Sequence, residues 1–236
     1  MVALVLCLNW EADMGRTRSA SSKSVTPRLF VNPATQIFYC EGKHEYTYFS
    51  KLVEQSVIAP FEKGTELSAT DIVPRIAAIK RDLDNDAIER VVWMLDGGDL
   101  HINQSKKKKG KNHFFEFYKE WLKKKDAEWS RLLILMINPC LEYWFLLHRT
   151  DPPVDAKGLP RCFKDADELK ELDEFKEHCP EGKGADLVKT IAKDSEGRKQ
   201  AIERAQKLVE RLPESLSEKD LFGVARAEIF QLFTST

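Results

Sequence analysis

The chain has 236 residues, of which 42% are hydrophobic and 32% charged, and its formal net charge at pH 7 is -1. This composition is ordinary for a folded globular protein and excludes a disordered chain. The near-zero net charge excludes a surface covered throughout by cations, so any binding of nucleic acid would depend on a local cluster. The five cysteines form no C-x-x-C pair and indicate neither a disulfide framework nor a zinc knuckle.

The first 27 residues are interpreted as a flexible arm. The opening MVALVLCLNW is apolar, but it is too short to span a bilayer and lacks the basic flank of a signal peptide. The segment from Gly15 to Pro27 is polar, basic and rich in serine, which is typical of a flexible arm. We expect a cytoplasmic protein without a membrane partner, whose natural start is Met1 or Met14.

Three apolar runs predict buried strands: IFYC at 37–40, RVVWML at 90–95 and RLLILMI at 131–137. Between them lie apolar residues spaced for one helical face, namely Tyr48, Phe49, Leu52, Val53 and Val57, then Ile72, Val73, Ile76, Ile79 and Leu83, then Phe114, Phe117, Tyr118, Trp121 and Leu122. This alternation predicts an α/β, Rossmann-like fold with a mainly parallel sheet flanked by helices. In such folds ligands bind beyond the carboxyl ends of the strands.

A further helix is predicted in NPCLEYWFLLHR, with Asn138 as its N-cap and Pro139 at its first helical position. The following DPPVDAKGLP is interpreted as a linker, and the charged segments beyond it carry helical spacing of apolar residues. We therefore predict three regions: an N-terminal arm at 1–27, an α/β domain at 28–150, and a helical C-terminal extension at 151–236 that packs on the domain.

Acidic residues follow each predicted strand. Glu41 comes after the first strand, Asp96 and Asp99 lie in MLDGGD after the second, and Glu142 lies in the helix after the third. Because the carboxyl ends of parallel strands meet at one edge, these carboxylates can share a divalent cation, and hard oxygen ligands suit Mg²⁺ or Mn²⁺. Such a site can orient a phosphodiester, activate water and offset charge on the leaving oxygen.

Each acid also has a purely structural interpretation. Glu41 beside Gly42 can accept backbone N–H groups at the start of the next helix. Asp96 and Asp99, with two glycines between them, can form an ordinary tight turn. Glu142 in a first helical turn interacts favourably with the helix dipole. Only the joint pattern favours the metal site.

Three segments, FYCEGKHEYTYF, VVWMLDGGDLH and INPCLEYWFLLH, together resemble the RloB-like (abortive-infection, AbiL-type) family, whose domain is related to Toprim nucleases. The resemblance spans about residues 28–150. It implies a Toprim-like fold, in which Glu41 is the Toprim glutamate, acting as general acid/base or near the metal, and Asp96 the first metal-binding aspartate. Asn138, Glu142 and His148 match the third motif, which assigns them no individual roles.

The sequence departs from the family pattern at two places. The second aspartate of the family falls on Gly98, and Asp99 is the next acidic position. We interpret Asp99 as a shifted metal ligand, and the alternative is a weakened or inactive site. The Thr-Glu of the first motif reads His44-Glu45, so only the glutamate is kept.

The histidines and cysteines near this edge give weaker indications. A single histidine is more often structural than a ligand, which applies to His101, His113 and, above all, His148. Cys140 is interpreted as a buried thiol and not as a nucleophile, because no base is placed beside it.

The segment 104–125 contains nine lysines against two glutamates. Its densest part predicts a clamp for a phosphate backbone, with affinity that falls steeply with salt. The clamp residues are Lys106, Lys107, Lys108, Lys109 and Lys111. A solvated loop is the alternative for such a run, and the aromatic residues inside the segment are expected in the core.

These features predict a divalent-metal-dependent nuclease that uses Mg²⁺ or Mn²⁺ and acts on DNA, tRNA or another RNA. Glu41 is the expected acid/base, Asp96 and Asp99 are expected metal ligands, and Glu142 contributes a further carboxylate. The resemblance implies the effector of an antiphage, abortive-infection system with a AAA or ABC-type ATPase partner. The chain has no G-x-x-x-x-G-K-[ST] loop with which to bind ATP itself.

Two other hypotheses stay open. The first is a binding module for nucleic acid or a protein partner that kept the fold while its metal site decayed, which Gly98 supports. The second is phosphoryl chemistry on a nucleotide, since the same metal geometry serves both. The lysine run favours a polymer over a nucleotide.

Overall fold

A computed structural model describes residues 36–65, 71–98, 112–163, 165–180, 184–212, 217 and 224–234. The predicted arm, Met14, Asp99, His101 and the lysines of the proposed clamp lie outside the described residues. Statements about these positions therefore stay predictions.

The described strands form one sheet: β1 Gln36–Tyr39, β2 Glu62–Lys63, β3 Arg90–Asp96, β4 Leu132–Asn138 and β5 Arg226–Ala227. Their order is β2-β1-β3-β4-β5. Every pairing is parallel except that of β5, which runs antiparallel to β4. The predicted mainly parallel sheet is thus confirmed, and the two-residue strands β2 and β5 are additions to it.

The described α-helices are α1 Lys43–Glu54, α2 Ile72–Leu83, α3 His113–Lys124, α4 Leu141–Arg149, α5 Ala166–Lys170, α6 Asp173–His178, α7 Ala185–Lys193, α8 Ser195–Val209 and α9 Gln231–Thr234. A 3₁₀ turn, Glu228–Phe230, joins β5 to α9. None of the described helices is long and apolar enough to cross a membrane.

Helices cover both faces of the sheet, which explains why β3 and β4 are apolar at almost every position. Successive side chains of a strand point to opposite faces. Accordingly, Val92 and Met94 lie in the core beneath α1 and α4, whereas Val91, Trp93 and Leu95 lie in a second core beneath α2 and α3. The predicted α/β class, with helices flanking the sheet, is therefore confirmed.

The helix after β4 begins later than the sequence predicts. Asn138 is the last residue of β4, its peptide bond to Pro139 is cis, and Cys140 is the N-cap of α4. The predicted N-cap at Asn138 is therefore wrong. The sheet uses this residue instead, because Asn138 pairs with Arg226 of β5 and its side-chain amide donates to the Val224 carbonyl at 2.8 Å.

Helices after residue 150 contribute to the core that α1 and α4 form. Helix α7 lies along α1 and helix α8 along α4. Their buried apolar residues include Leu187, Val188, Ile191, Ala201 and Ala205. All described residues belong to one compact unit, Pro33–Thr236. The boundaries predicted at residues 27 and 150 stay predictions.

A buried ion pair lies where β5 joins the sheet. Arg226 Nη1 lies 3.3 Å from Glu228 Oε1, and both side chains are almost fully buried. Glu228 Oε2 also accepts the backbone N–H of Met136 in β4 at 3.0 Å. Burial raises the pKa of Glu228, which the charge of Arg226 and the Met136 N–H oppose. The pair therefore ties the last strand to the centre of the sheet.

Candidate functional site

A cavity of about 330 Å³ lies at the carboxyl edge of the sheet. Four separate segments form it: the start of α1, the end of β3, the β4–α4 connection and the start of α5. Its lining residues are Gly42, Lys43, His44, Glu45, Asp96, Gly98, Cys140, Glu142, Asp165, Ala166 and Lys170. Carboxylates outnumber lysines in this lining, so the cavity suits a cationic ligand.

The end of β3 brings Asp96 to the cavity through a tight backbone arrangement. Asp96 Oδ1 accepts the backbone N–H of Gly98 at 3.1 Å, and the same N–H lies 3.0 Å from the Pro139 carbonyl oxygen. A Cβ added at Gly98 would lie 3.0 Å from that carbonyl oxygen. Glycine at this position therefore allows close approach of the β4–α4 connection.

Glu142, in the first turn of α4, forms an ion pair with Lys170. Glu142 Oε1 lies 2.7 Å from Lys170 Nζ, and the side chains are 16% and 12% exposed. Burial alone raises the pKa of Glu142, but the hydrogen bond and charge of Lys170 lower it below the ordinary value. Lys170 in turn has a raised pKa, because Glu142 outweighs the opposing effect of burial.

Cys140, the N-cap of α4, is a buried thiol of the cavity lining. Burial raises its pKa well above the ordinary value, and the charges of Glu142 and Asp96 raise it further. Because the thiolate is the nucleophilic form, these surroundings disfavour nucleophilic chemistry at Cys140.

Glu45, in the first turn of α1, is a further acidic residue of the cavity lining. The residue is 8% exposed, and Oε2 has no hydrogen-bond partner. Burial raises its pKa, the backbone N–H groups of Glu45 and Gly42 lower it in part, and the charge of Glu142 raises it. The Gly42 contact resembles a capping box, in which an acid three residues inside a helix reaches back to the N-cap N–H. A Cβ at Gly42 would lie 2.7 Å from Oε2, so glycine leaves room for this carboxylate.

Glu41 lies beside helix α2 and not in the cavity lining. Its Oε1 is 3.9 Å from Nη1 of Arg75 in α2, and the two side chains are 6% and 1% exposed. Glu41 is not among the residues that line the cavity. The structure therefore places the two acids of CEGKHE differently, with Glu41 beside α2 and Glu45 in the cavity. The catalytic and metal roles of Glu41 stay predictions.

Of the predicted acids, Asp96 and Glu142 both line the cavity, whereas its other lining residues Asp165 and Lys170 were not predicted from the sequence. Asp165 is the N-cap of α5, where its Oδ1 accepts the Glu168 N–H at 2.9 Å. An aspartate followed three residues later by a glutamate is a sequence signal for a helix start. That signal would have found the cap, but nothing in it indicates the cavity.

His44 and His148 lie in different surroundings. His44 lines the cavity. His148 is 2% exposed and lies against Trp144, with ring centroids 5.2 Å apart, and neither of its nitrogens has a hydrogen-bond partner. Burial lowers the pKa of His148 to about 3, so the ring is neutral at physiological pH. His148 is not part of the cavity lining.

The donors in the cavity are of the type that a hard divalent cation binds. Four acidic residues from separate segments line it, Glu45, Asp96, Glu142 and Asp165, and Glu45 Oε2 has no partner. Within the described ranges, however, no three carboxylate, imidazole or thiol side chains are grouped closely enough to hold a metal ion. The donor types thus fit Mg²⁺ or Mn²⁺, while the ligand set is not preassembled from the described residues.

The fold and the cavity define an α/β protein with an acidic site at the carboxyl edge of a mainly parallel sheet. The sequence family described as RloB-like protein matches residues 37–227. The chain therefore belongs to the RloB-like family. Comparisons with curated proteins and with solved structures gave no match.

Proposed function

We propose that this RloB-like protein is a divalent-metal-dependent nuclease whose active site is the cavity at the carboxyl edge. The supporting observation is that acids from four segments, Glu45, Asp96, Glu142 and Asp165, line one space. Acids so far apart in the sequence share a cavity at the edge where open α/β sheets bind ligands. That placement favours a role in chemistry over four independent structural roles.

Asp96 and Glu142 are the proposed holders of Mg²⁺ or Mn²⁺, and Asp99 follows Asp96 closely enough in sequence to join them. The bound cation would orient a phosphodiester, lower the pKa of a water molecule and offset charge on the leaving oxygen. Glu45 lines the cavity, has a raised pKa and has a buried carboxylate oxygen without a partner, so it is the proposed group that holds or delivers a proton. The family resemblance gives this acid–base role to Glu41, so the two glutamates are competing proposals.

The proposed substrate is a nucleic acid, either DNA or RNA such as tRNA, held by the Lys106–Lys111 run. The proposed setting is an abortive-infection defence system in which the chain acts with a AAA or ABC-type ATPase. The substrate proposal rests on the lysine run, and the proposed setting rests on the resemblance of the motifs to AbiL-type and Toprim-related proteins.

The test is cleavage of labelled single-stranded DNA, double-stranded DNA and total tRNA with Mg²⁺, Mn²⁺ or EDTA. Asp96→Asn should lower the rate by roughly 10²-fold or more, because a metal ligand contributes several kcal/mol to the transition state. Comparing Glu41→Gln with Glu45→Gln decides which glutamate moves the proton. Glu196→Gln is the control, since Glu196 is an exposed partner of Lys199 in α8. Cleavage that survives both EDTA and Asp96→Asn would contradict the proposal.

A second candidate is a binding module of the same fold without catalytic activity. Two observations favour it: Gly98 stands where the family has its second aspartate, and the described residues do not group three metal ligands. A module would bind nucleic acid with steep salt dependence and would release no product at any metal concentration. Metal-dependent cleavage lost in Asp96→Asn would rule the module out.

A further inference from the structure

The cavity contains an ammonium group within its own acidic lining. Lys170 ends the short helix α5, and its Nζ lies 2.7 Å from Glu142 Oε1. Lys170 and Asp165 both come from the part of the chain beyond the linker, whereas the other acids precede it. The later part of the chain therefore supplies the cavity with both a cation and a carboxylate.

The Glu142–Lys170 pair has the properties of a strong but accessible interaction. A distance of 2.7 Å is that of a charge-assisted hydrogen bond. Exposures of 16% and 12% limit solvent screening, while the cavity still gives both groups a route to water or to a ligand. A carboxylate that accepts a hydrogen bond from Lys170 has fewer lone pairs left to bind a divalent cation. The positive charge of Lys170 also repels such a cation.

A second acidic residue of the cavity lining, Glu45, has a carboxylate oxygen whose hydrogen-bonding ability is not satisfied. Glu45 is among the residues that line the cavity, is 8% exposed, and has a buried Oε2 without a hydrogen-bond partner. A buried oxygen without a partner costs free energy unless a ligand or solvent satisfies it. The cavity thus combines an unsatisfied carboxylate oxygen with a second carboxylate that Lys170 already satisfies.

We propose that Lys170 is an internal counter-cation, which holds Glu142 and competes with the divalent cation for its carboxylate. This rests on the proposed function, because it requires that the cavity binds a divalent cation. In this arrangement Lys170 sets the metal concentration at which the site fills. A divalent ion displaces Lys170 from Glu142 when the free energy of its binding to Glu142 and the other acids exceeds the free energy of the Lys170–Glu142 ion pair.

A purely structural role for Lys170 gives a different expectation. In that case the pair only fastens α5 to α4, and its loss lowers stability without strengthening metal binding. Metal affinity is therefore the readout that separates the two roles, and it does not depend on nuclease activity.

The experiment measures Mn²⁺ binding to the full chain by calorimetry, after removal of divalent ions with EDTA and dialysis. Lys170→Met keeps the length of the side chain and removes its charge, so it should tighten Mn²⁺ binding by roughly tenfold. Lys43→Met is the matched control, because Lys43 lines the same cavity and has no ion pair with another described residue. We expect it to tighten binding by less than about threefold.

A double-mutant cycle tests whether the effect passes through Glu142. With Glu142→Gln already present, Lys170→Met should change the Mn²⁺ affinity no more than Lys43→Met does. Thermal unfolding in EDTA and in Mn²⁺ shows that each variant is folded, and Mn²⁺ should raise the melting temperature of Lys170→Met more than that of the wild type.

Each result leads to a definite conclusion. Tighter binding by Lys170→Met that vanishes in the Glu142→Gln background supports the counter-cation. Unchanged or weaker binding overturns it, while Mn²⁺ binding by the wild type still supports the proposed metal site. If neither the wild type nor Lys170→Met binds millimolar Mn²⁺, both the metal site and the counter-cation are overturned.

Discussion

Two ion pairs with little solvent exposure, Arg226–Glu228 and Glu142–Lys170, differ in their surroundings. Arg226–Glu228 is enclosed, and the second oxygen of Glu228 accepts a backbone N–H of β4. Glu142–Lys170 borders a cavity and lies near an unsatisfied carboxylate oxygen of Glu45. The comparison indicates that a buried ion pair alone does not mark a functional site. Access to a space that a ligand can enter distinguishes the second pair.

The largest expected effect is on the enclosed pair. Arg226→Met leaves the Glu228 carboxylate buried without its charge partner, and it should lower the free energy of unfolding by about 3–5 kcal/mol. Urea unfolding at pH 7 measures this loss. Adding Glu228→Gln removes the uncompensated charge and should restore part of the stability. If Arg226→Met lowered the free energy of unfolding less than Glu142→Gln does, the enclosed pair would not be the more important one for stability.

His148 extends the comparison to a buried ionisable group without any ion pair. Its folded pKa of about 3 lies below the unfolded value of about 6.5, so the unfolded chain takes up the proton first as pH falls. The contribution of His148 to stability is complete above pH 6.5 and declines as pH falls from there towards 3. Between pH 7.5 and 5.5 the loss should be about 1.3 kcal/mol.

His148→Leu removes this titration, and urea unfolding of both proteins at the two pH values measures the difference. Between pH 7.5 and 5.5, the free energy of unfolding of His148→Leu should fall by about 1.3 kcal/mol less than that of the wild type. Equal losses would show that His148 is hydrated or paired in solution, and that its burial does not keep it neutral.

The smallest expected stability effect is at the cavity. Glu142→Gln removes the charge partner of Lys170, but the ammonium group can then be hydrated from the cavity. The free energy of unfolding should fall by only about 1 kcal/mol, within the range for accessible pairs. Denaturant unfolding in EDTA is the measurement. A loss as large as that of Arg226→Met would mean that the cavity pair is also primarily structural.

The long elements of the fold were predictable because β3 and β4 are nearly continuous apolar runs and α1–α4 carry apolar residues at helical spacing. Strands β2 and β5 have two residues each, which is too short for any period to show. The charged residues at β5 and just after it, Arg226 and Glu228, also make this strand hard to predict, because sequence patterns place such residues on a surface. Within the described residues, tertiary contacts with Met136 and Tyr118 accompany their burial.

Only part of the cavity lining was predictable, because some of its residues follow from sheet topology and others depend on the tertiary fold. Asp96 and Glu142 follow strands whose carboxyl ends meet at one edge, so sheet topology alone brings them together. Glu41 and Glu45 are four residues apart, and the sequence does not show that the first faces Arg75 while the second faces the cavity. Asp165 and Lys170 lie in a segment whose charges are typical of a solvated helix, and only the folded chain brings them to the site.

The pairing of β4 with β5 has a consequence for aggregation. Strand β4, LLILMIN, is apolar and would present an open edge if β5 were absent. The hydrogen bond from Met136 to Glu228 joins residues 92 positions apart, so this edge stays open until a distant part of the chain arrives. Exposed apolar edges recruit strands of other molecules. Because the Arg226–Glu228 pair helps to hold β5 on this edge, we expect Arg226→Met to increase self-association of the folded chain as well as to lower its stability.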